Sequence, residues 1–576
     1  MQLTLFRTFS RLFFWVLAVI VLSILFPALI PNYELAYLRP WALYSNSVFQ
    51  WAYENMQRSS PSSLILLMDL SLSSIAAVLV VANNRNMDNS LNHHRPPHGE
   101  LSHPAYLRYT VDNFNRSIDT VFDEKRQHVV DLLGFSFLMG TLFSGAPAVT
   151  TGIEFVAHSL KYSWLIGTPH LILQNIGYLS FGKDDFLINE QNITKNAAQL
   201  KNKHVIFILP TKGGNHVTVK MSVESAIFWK EIIELKHGKM ADISQWIICE
   251  QDDYEANVKG YGELATMGAR VIIVPREFNT VNGTRYKARA LVYANKVMAE
   301  EGLVNKDTWI YHQDDETKVG EDTILGIMDY IINAGDHDIY AAGIINYADS
   351  LTYTPSRAQE PSRSYDDFRI LLTTKTNGKL SFGHHGSHLL VRADVEAAVG
   401  WDFGDVKTED WMFGLMMWQR HRPGKTILKG YGYEKPPLTT KDLLKQRRRW
   451  AHGAMQIVFD KRIRPRYRLA ALYGVVSWMS ALPSLIAFAV SIIYPTGGLF
   501  PASGIIAGFT WYSLYRYHAG GYKLNDAYLT GPEKRGHRRR YRIIFAVIGG
   551  MMLEACAPWY ALINPPKGFE VIKKDD

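Results

Sequence analysis

The sequence predicts an α/β domain on a mostly parallel, doubly wound sheet, with helical transmembrane segments at both ends of the chain. Three observations carry this. Between Lys201 and Arg464, short continuous apolar runs alternate with longer runs of helical period, as expected of strands covered on both faces. Both ends of the chain hold uncharged apolar runs approaching membrane length. Acids also cluster directly after two of the apolar strands, at the sheet edge where such folds bind their ligands.

In chain order, His204-Val-Ile-Phe-Ile-Leu209 reads as a buried strand, Pro210-Thr-Lys-Gly-Gly214 as a loop and 219–235 as a helix. The unit repeats with strands Gln245-Trp-Ile-Ile-Cys-Glu250 and Arg270-Val-Ile-Ile-Val274, a helix over 286–301, and strand Thr308-Trp-Ile-Tyr-His312. Glu250-Gln-Asp-Asp253 follows the second strand and Gln313-Asp-Asp-Glu316 the fourth. Like charges this close repel unless a cation or a donor-rich ligand lies among them. Mg²⁺ or Mn²⁺ suits carboxylate and phosphate oxygens. For the first cluster a solvated acidic loop is an equal reading. Thr408-Glu-Asp410 precedes an apolar helix over 411–418, which makes Thr408 a candidate N-cap. Further on stands Gln446-Arg-Arg-Arg-Trp450. A basic helix at a membrane surface accounts for its arginines, but not for the glutamine and tryptophan.

The chain has 576 residues, a net charge of +8 and two cysteines, Cys249 and Cys556. Two cysteines exclude a disulfide framework and a cysteine-rich zinc module. A mean hydropathy of −0.08 is too high for a disordered chain and too low for one lying wholly in a bilayer. Segments 12–30 and 63–82 are candidate spans. Segments 132–149 and 164–179 are shorter or interrupted, and read as spans or as a hairpin. The segments 470–494, 499–515 and 543–563 are long enough to cross roughly 30 Å of hydrocarbon. Lys and Arg gather in 441–468 and 534–542, which places both on the cytoplasmic side. Because these cations flank apolar runs, they suit anionic lipid rather than nucleic acid. The expected layout is 1–82 membrane helices, 83–200 a loop with an apolar hairpin or further spans, 201–465 the catalytic domain, and 466–576 membrane helices. The protein would be multi-pass, its catalytic domain cytoplasmic.

Several pieces occur together in one order: Tyr286-Lys-Ala-Arg-Ala-Leu291, Trp309-Ile-Tyr-His-Gln-Asp-Asp-Glu-Thr317, Glu409-Asp410, and Tyr433-Glu-Lys-Pro-Pro437 running into Gln446-Arg-Arg-Arg-Trp450. Over roughly 201–460 the chain resembles the membrane-embedded family-2 glycosyltransferases, and among them the egghead-type β-1,4-mannosyltransferases. The resemblance implies a GT-A fold, a nucleotide-sugar donor (GDP-mannose or a UDP-sugar), a divalent metal, and a lipid or glycan acceptor. Asp314 and Glu316 would hold metal and diphosphate with Asp315 between them, although the family's last acid is an Asp. Glu250 would lie near the nucleobase, with Lys287 and Arg289 near the nucleotide. Asp410 would be the general base beside Glu409, which would also border the acceptor. Gln446 and Arg449 would close over the diphosphate, and Trp450 would border the acceptor. Ser381-Phe-Gly-His-His-Gly-Ser-His388 resembles the family's glycine-rich acceptor-side strand, which makes Gly383 and His384 acceptor-side groups. Tyr433-Glu-Lys435 either braces the closing segment or merely ends a strand.

The implied activity is inverting transfer of one sugar, mannose by this likeness, to a membrane-associated acceptor. A processive polysaccharide synthase is the nearest alternative. A transporter or a non-enzymatic scaffold is remote, since the acids cluster in the polar part of the chain rather than in paired broken helices.

Overall fold

The apolar runs become strands of a seven-stranded sheet in the computed structural model, which describes residues 105–142, 163–212, 214–347, 359–379, 383–437, 439–484, 486, 503–526, 553–566 and 572. The strands are β1 (His204–Thr211), β2 (Asp242–Glu250), β3 (Arg270–Val274), β4 (Thr308–His312), β5 (Tyr340–Asn346), β6 (Leu389–Arg392) and β7 (Ile427–Tyr433). Their order is β3-β2-β1-β4-β6-β5-β7. Only β6 runs against the others among the described strands. The mixed α/β expectation is met.

All four anticipated strands are present, two of them longer than expected. β1 continues through Pro210 and Thr211 because β2 lies alongside, with Pro210 opposite Ile248 and Thr211 opposite Cys249. The strands that escaped the pattern are β5, β6 and β7, and the reason is steric. A Cβ on Gly343 of β5 would lie 2.0 Å from His388 Nε2, and one on Gly432 of β7 would lie 2.6 Å from His388 Cβ. These strands use glycine where the apolar pattern wants a branched residue, so that the buried His388 ring fits between them. β6 has only four residues.

The helices expected over 219–235 and 286–301 are His216–His237 and Tyr286–Glu300. Helix Glu321–Ile332 is almost entirely buried. Its Gly326 comes so close to β7 that a Cβ would lie 2.1 Å from Lys429 O. At its first turn Asp322 accepts hydrogen bonds from Tyr431 N and Tyr433 Oη, both 2.9 Å, and so secures β7.

By contact density the chain falls into two units: Met1–Ser102, Glu124–Leu171 and Ser480–Arg516 in one; His103–Asp123, Ile172–Met479 and Tyr517–Asp576 in the other. In the first, Arg516 Nη1 donates to Glu124 Oε2 at 3.2 Å, and Leu133 and Phe137 are exposed. The second holds the sheet. It also takes in parts of the C-terminal region that the sequence assigns to the membrane. Asn525 donates to Ser364 Oγ at 3.1 Å and accepts from Tyr347 N at 2.7 Å. Glu554 accepts from Arg447 Nε at 2.6 Å.

The proposed spans 12–30 and 63–82 lie outside the described residues. The others are described in part, by helices Lys125–Leu142, Ser163–Ser180 (with Pro169 inside), Pro465–Met479 and Ser503–Asp526, and by 553–563. Among the described residues no helix is long and apolar enough to cross a membrane.

Candidate active site

The carboxyl edge of the sheet gathers the expected residues because parallel strands all end there. β4 delivers His312 and then a tight turn. Gln313 N donates to Ile208 O at 2.9 Å, Asp314 N to Thr317 Oγ1 at 3.0 Å, and Thr317 N back to Asp314 O at 3.0 Å. The acidic loop is thus a closed turn, not a flexible solvated one. Beneath it, His312 Nε2 meets Glu396 Oε2 at 2.8 Å and Trp401 Nε1 donates to Glu396 Oε1 at 2.8 Å, with both His312 and Glu396 fully buried. Asp315 accepts from Asn215 Nδ2 at 3.1 Å, and Glu316 is buried.

Lys287 stands at the centre. Its Nζ donates to Asp314 Oδ1 and, at 3.0 Å, to Gly386 O. Burial works against this ammonium, but Asp314, Glu409 and Asp410 outweigh it and raise its pKa. The two acids of the Thr-Glu-Asp segment open helix Glu409–Arg420. Thr408 occupies the N-cap position without forming a capping bond, which corrects the expectation for its side chain. Its hydroxyl is buried without a partner, pressed against Gly453, where a Cβ would lie 2.5 Å from Oγ1. That glycine lets helix Thr440–Phe459, which carries Arg449, seat directly on the acids' segment. Asp410 Oδ1 accepts from Trp411 N at 2.8 Å. Burial and then Asp410 push the Glu409 carboxyl up to about 7, against Lys287 and Arg449. Asp410 is also raised, by burial and by Asp314, with Lys287, the Trp411 N–H and Arg449 opposing.

The remaining expected residues fall into separate groups. Arg289 donates through Nη1 to Glu250 and through Nη2 to Pro275 O at 2.7 Å and Phe278 O at 2.8 Å. Its fork therefore braces the end of β2. Gln446 Oε1 accepts from Arg447 Nη1 at 2.6 Å. Arg447 pairs with Glu360 and Glu554, and its guanidinium lies 4.4 Å from the Trp450 ring centroid, with Arg363 at 4.7 Å. Trp450 thus bears on two guanidinium groups. His384 is buried with its Nε2 2.8 Å from Tyr340 Oη, and burial pushes its pKa down to about 3. His385 bonds the buried Asp367, and His388 lies 3.0 Å from Tyr311 Oη through Nδ1 and 3.1 Å from Gly430 O through Nε2. The three histidines face different partners.

Glu434 accepts from Ser387 Oγ and, at 3.3 Å, from Thr317 Oγ1. It ties the glycine-rich strand to the acidic turn, so Tyr433-Glu-Lys435 does more than end a strand. Sequence reasoning missed Gly386, Asp367, Glu360 and Arg447. Gly386 and Arg447 lie inside recognised motifs without standing out there, and Asp367, Glu360 and Arg447 act through partners 18 to 107 residues away.

Residues 309–518 match the family model described as glycosyl transferase family group 2. The chain is 27% identical over 319 residues to the β-1,4-mannosyltransferase egh of Drosophila melanogaster, spanning 53% of this chain and 66% of the fly protein. It is 24% identical over 382 residues to the β-1,4-mannosyltransferase bre-3 of Caenorhabditis briggsae, spanning 65% and 79%. The chain thus carries a family-2 glycosyltransferase domain over residues 309–518. Among solved structures, the mannosyltransferase PcManGT from Pyrobaculum calidifontis, in complex with GDP-Man and Mn²⁺, shares 12% identity over 69% of this chain and 98% of its own. Its TM-score of 0.37 is too low to carry over donor or metal.

In this glycosyltransferase, Gly386 leaves little room for a side chain between Lys287 and Asp410. A Cβ there would lie 2.9 Å from Lys287 Nζ and 3.0 Å from Asp410 Oδ2. Gly386→Ala is therefore expected to lower turnover at least tenfold while leaving the melting temperature within a few degrees. The check is a side-by-side assay and melt; full activity in the alanine variant would show that the Asp410 side chain has slack.

Proposed function

We propose that the chain moves one sugar, mannose, from a nucleoside-diphosphate donor to a hydroxyl of a membrane-associated glycolipid or glycan, at the cytoplasmic face of a multi-pass membrane protein. The observation that carries this is the meeting of Lys287 and Asp410 at Gly386, with Asp314 bonded to Lys287 and the Arg449 charge acting on Asp410. A carboxylate, an acid-flanked cation and an arginine acting on that carboxylate supply the types of group that glycosyl transfer from a diphosphate requires.

The acceptor oxygen bonds to the anomeric carbon as that carbon's bond to the diphosphate oxygen breaks, and the hydroxyl proton passes to Asp410. Burial raises the proton affinity of that carboxylate. Charge growing on the departing nucleoside diphosphate is met by Arg449, whose fork matches two phosphate oxygens. The likeness to β-1,4-mannosyltransferases supports a single displacement with inversion, which turns an α-linked donor into a β product.

For a divalent ion, the residues present fit one that arrives with the diphosphate. Among the described residues no group of three or more His, Cys, Asp or Glu could hold a metal. Asp314 and Glu316 would supply two carboxylates, which suffices when phosphates complete the shell, as is usual for Mg²⁺. Such an ion would neutralise diphosphate charge.

The test is a screen of radiolabelled nucleotide-sugars with purified protein and Mg²⁺ or Mn²⁺, reading GDP or UDP release and the lipid-soluble product. One-sugar lipid products are expected. Long polymer would replace single addition by a processive synthase, and silence with every donor against active controls would sink the glycosyl-transfer scheme.

A further inference from the structure

The mechanism above leaves three neighbouring side chains unused: Lys212, Tyr286 and Lys407. Tyr286 opens helix Tyr286–Glu300 with φ +59°. For a bulky residue that left-handed backbone is a true outlier, and such strain persists only where the surroundings over-determine it. Glycine would adopt it without strain, yet a large ring is kept.

Two cations hold that ring. The Lys212 ammonium, one residue beyond β1, lies 4.1 Å from the ring centroid, and the Lys407 ammonium lies 5.6 Å from it. An aromatic face attracts a cation, but two ammonium groups on one ring also repel each other. Lys407 is fixed in place. Its side chain is only 4% exposed and its Nζ bonds Asp405 at 2.6 Å. Its backbone N–H donates to Gln456 Oε1 at 2.9 Å, and its carbonyl accepts from Arg449 Nη1 at 3.5 Å. Lys212 is half-buried, and burial lowers its pKa against the pull of Tyr286 and Asp253. The ring is thus placed between the β1 loop and the residue preceding Thr408-Glu409-Asp410, and its own chain neighbour is Lys287.

We propose that Lys212, Tyr286 and Lys407 form a clasp for the donor's diphosphate, in which the fixed Lys407 holds the ring and the ring presents the Lys212 ammonium to phosphate oxygens. This rests on the glycosyltransferase reading of the site. Lys212 is the binding residue, and Tyr286 is a positioning residue that acts through it.

The test measures GDP and UDP affinity by calorimetry on the purified full chain, together with the melting temperature without nucleotide. Lys212→Met is expected to weaken the nucleotide that the wild type binds by roughly 10- to 100-fold, the worth of one charge-assisted hydrogen bond. Its melting temperature should hold. Tyr286→Phe keeps the ring face and should bind as the wild type does. Tyr286→Gly relieves the strain, so it should melt no lower yet bind about as weakly as Lys212→Met. Wild-type affinity in Lys212→Met or in Tyr286→Gly would overturn the clasp. So would losses that track a fall in melting temperature. A wild type that binds neither nucleotide overturns clasp and glycosyltransferase reading together, whereas one that binds through the clasp but transfers no sugar tells against the reading alone.

Discussion

Asp410→Asn is expected to lower sugar transfer by roughly 10²–10⁴-fold, the usual contribution of a positioned general base, with nucleotide affinity unchanged. Asparagine preserves the size of the side chain and can still accept the Trp411 N–H that Asp410 Oδ1 receives at 2.8 Å. The start of helix Glu409–Arg420 should therefore survive, and a loss of rate would report chemistry rather than folding. The wild-type pH profile supplies a second check. Burial pushes Glu409 up to about 7 and raises Asp410 as well, so the two carboxyls titrate together above the ordinary carboxylate range. A base works only when deprotonated. The rate should climb as pH rises through that raised range and fall below it, on a limb lying well above the ordinary carboxylate range. In Asp410→Asn the residual rate should lose this limb. Turnover that survived in the variant with its limb intact would remove Asp410 from the mechanism.

Lys287→Met should be nearly as damaging, for a different reason. Lys287 is the cation shared by Asp314, Glu409 and Asp410. An opposite charge at this range typically changes a carboxyl's protonation equilibrium by about 10- to 1,000-fold. Without it the Glu409 and Asp410 pKa values should rise further, so that less base is ionised at neutral pH. The expected result is a loss of roughly that size at pH 7, partly recovered as the pH is raised. Donor affinity should fall too, since Asp314 loses the ammonium that now orients it. Alkaline recovery separates this variant from Asp410→Asn, which has no base to recover. A Lys287→Met enzyme whose pH profile matched the wild type would show that the ammonium does not tune the acids.

The acids were legible because each follows an uninterrupted apolar strand or opens an apolar helix. Asp314 lies two residues beyond β4, and Asp410 is the second residue of its helix. Which basic residue serves them was less legible. Lys287 and Arg289 sit two apart on one helix and look equivalent in the chain. In the fold Lys287 meets Asp314 and Gly386, while Arg289 turns to Glu250 and three carbonyl groups. Trp450 likewise offers a flat face in the sequence, but the fold brings it against Arg363 and Arg447.

Taken alone, the sequence determined the sheet's first half and the acids that follow its strands, because apolar runs and the charges that end them are local properties. The tertiary structure alone decided how that edge is wired. His388 needs glycines on two strands to fit, Gly453 brings the Arg449 helix down onto Thr408, and Lys287 is drawn to three carboxylates from two separate segments. Such pairings depend on close approach between residues distant in the chain, where no period or run can register them.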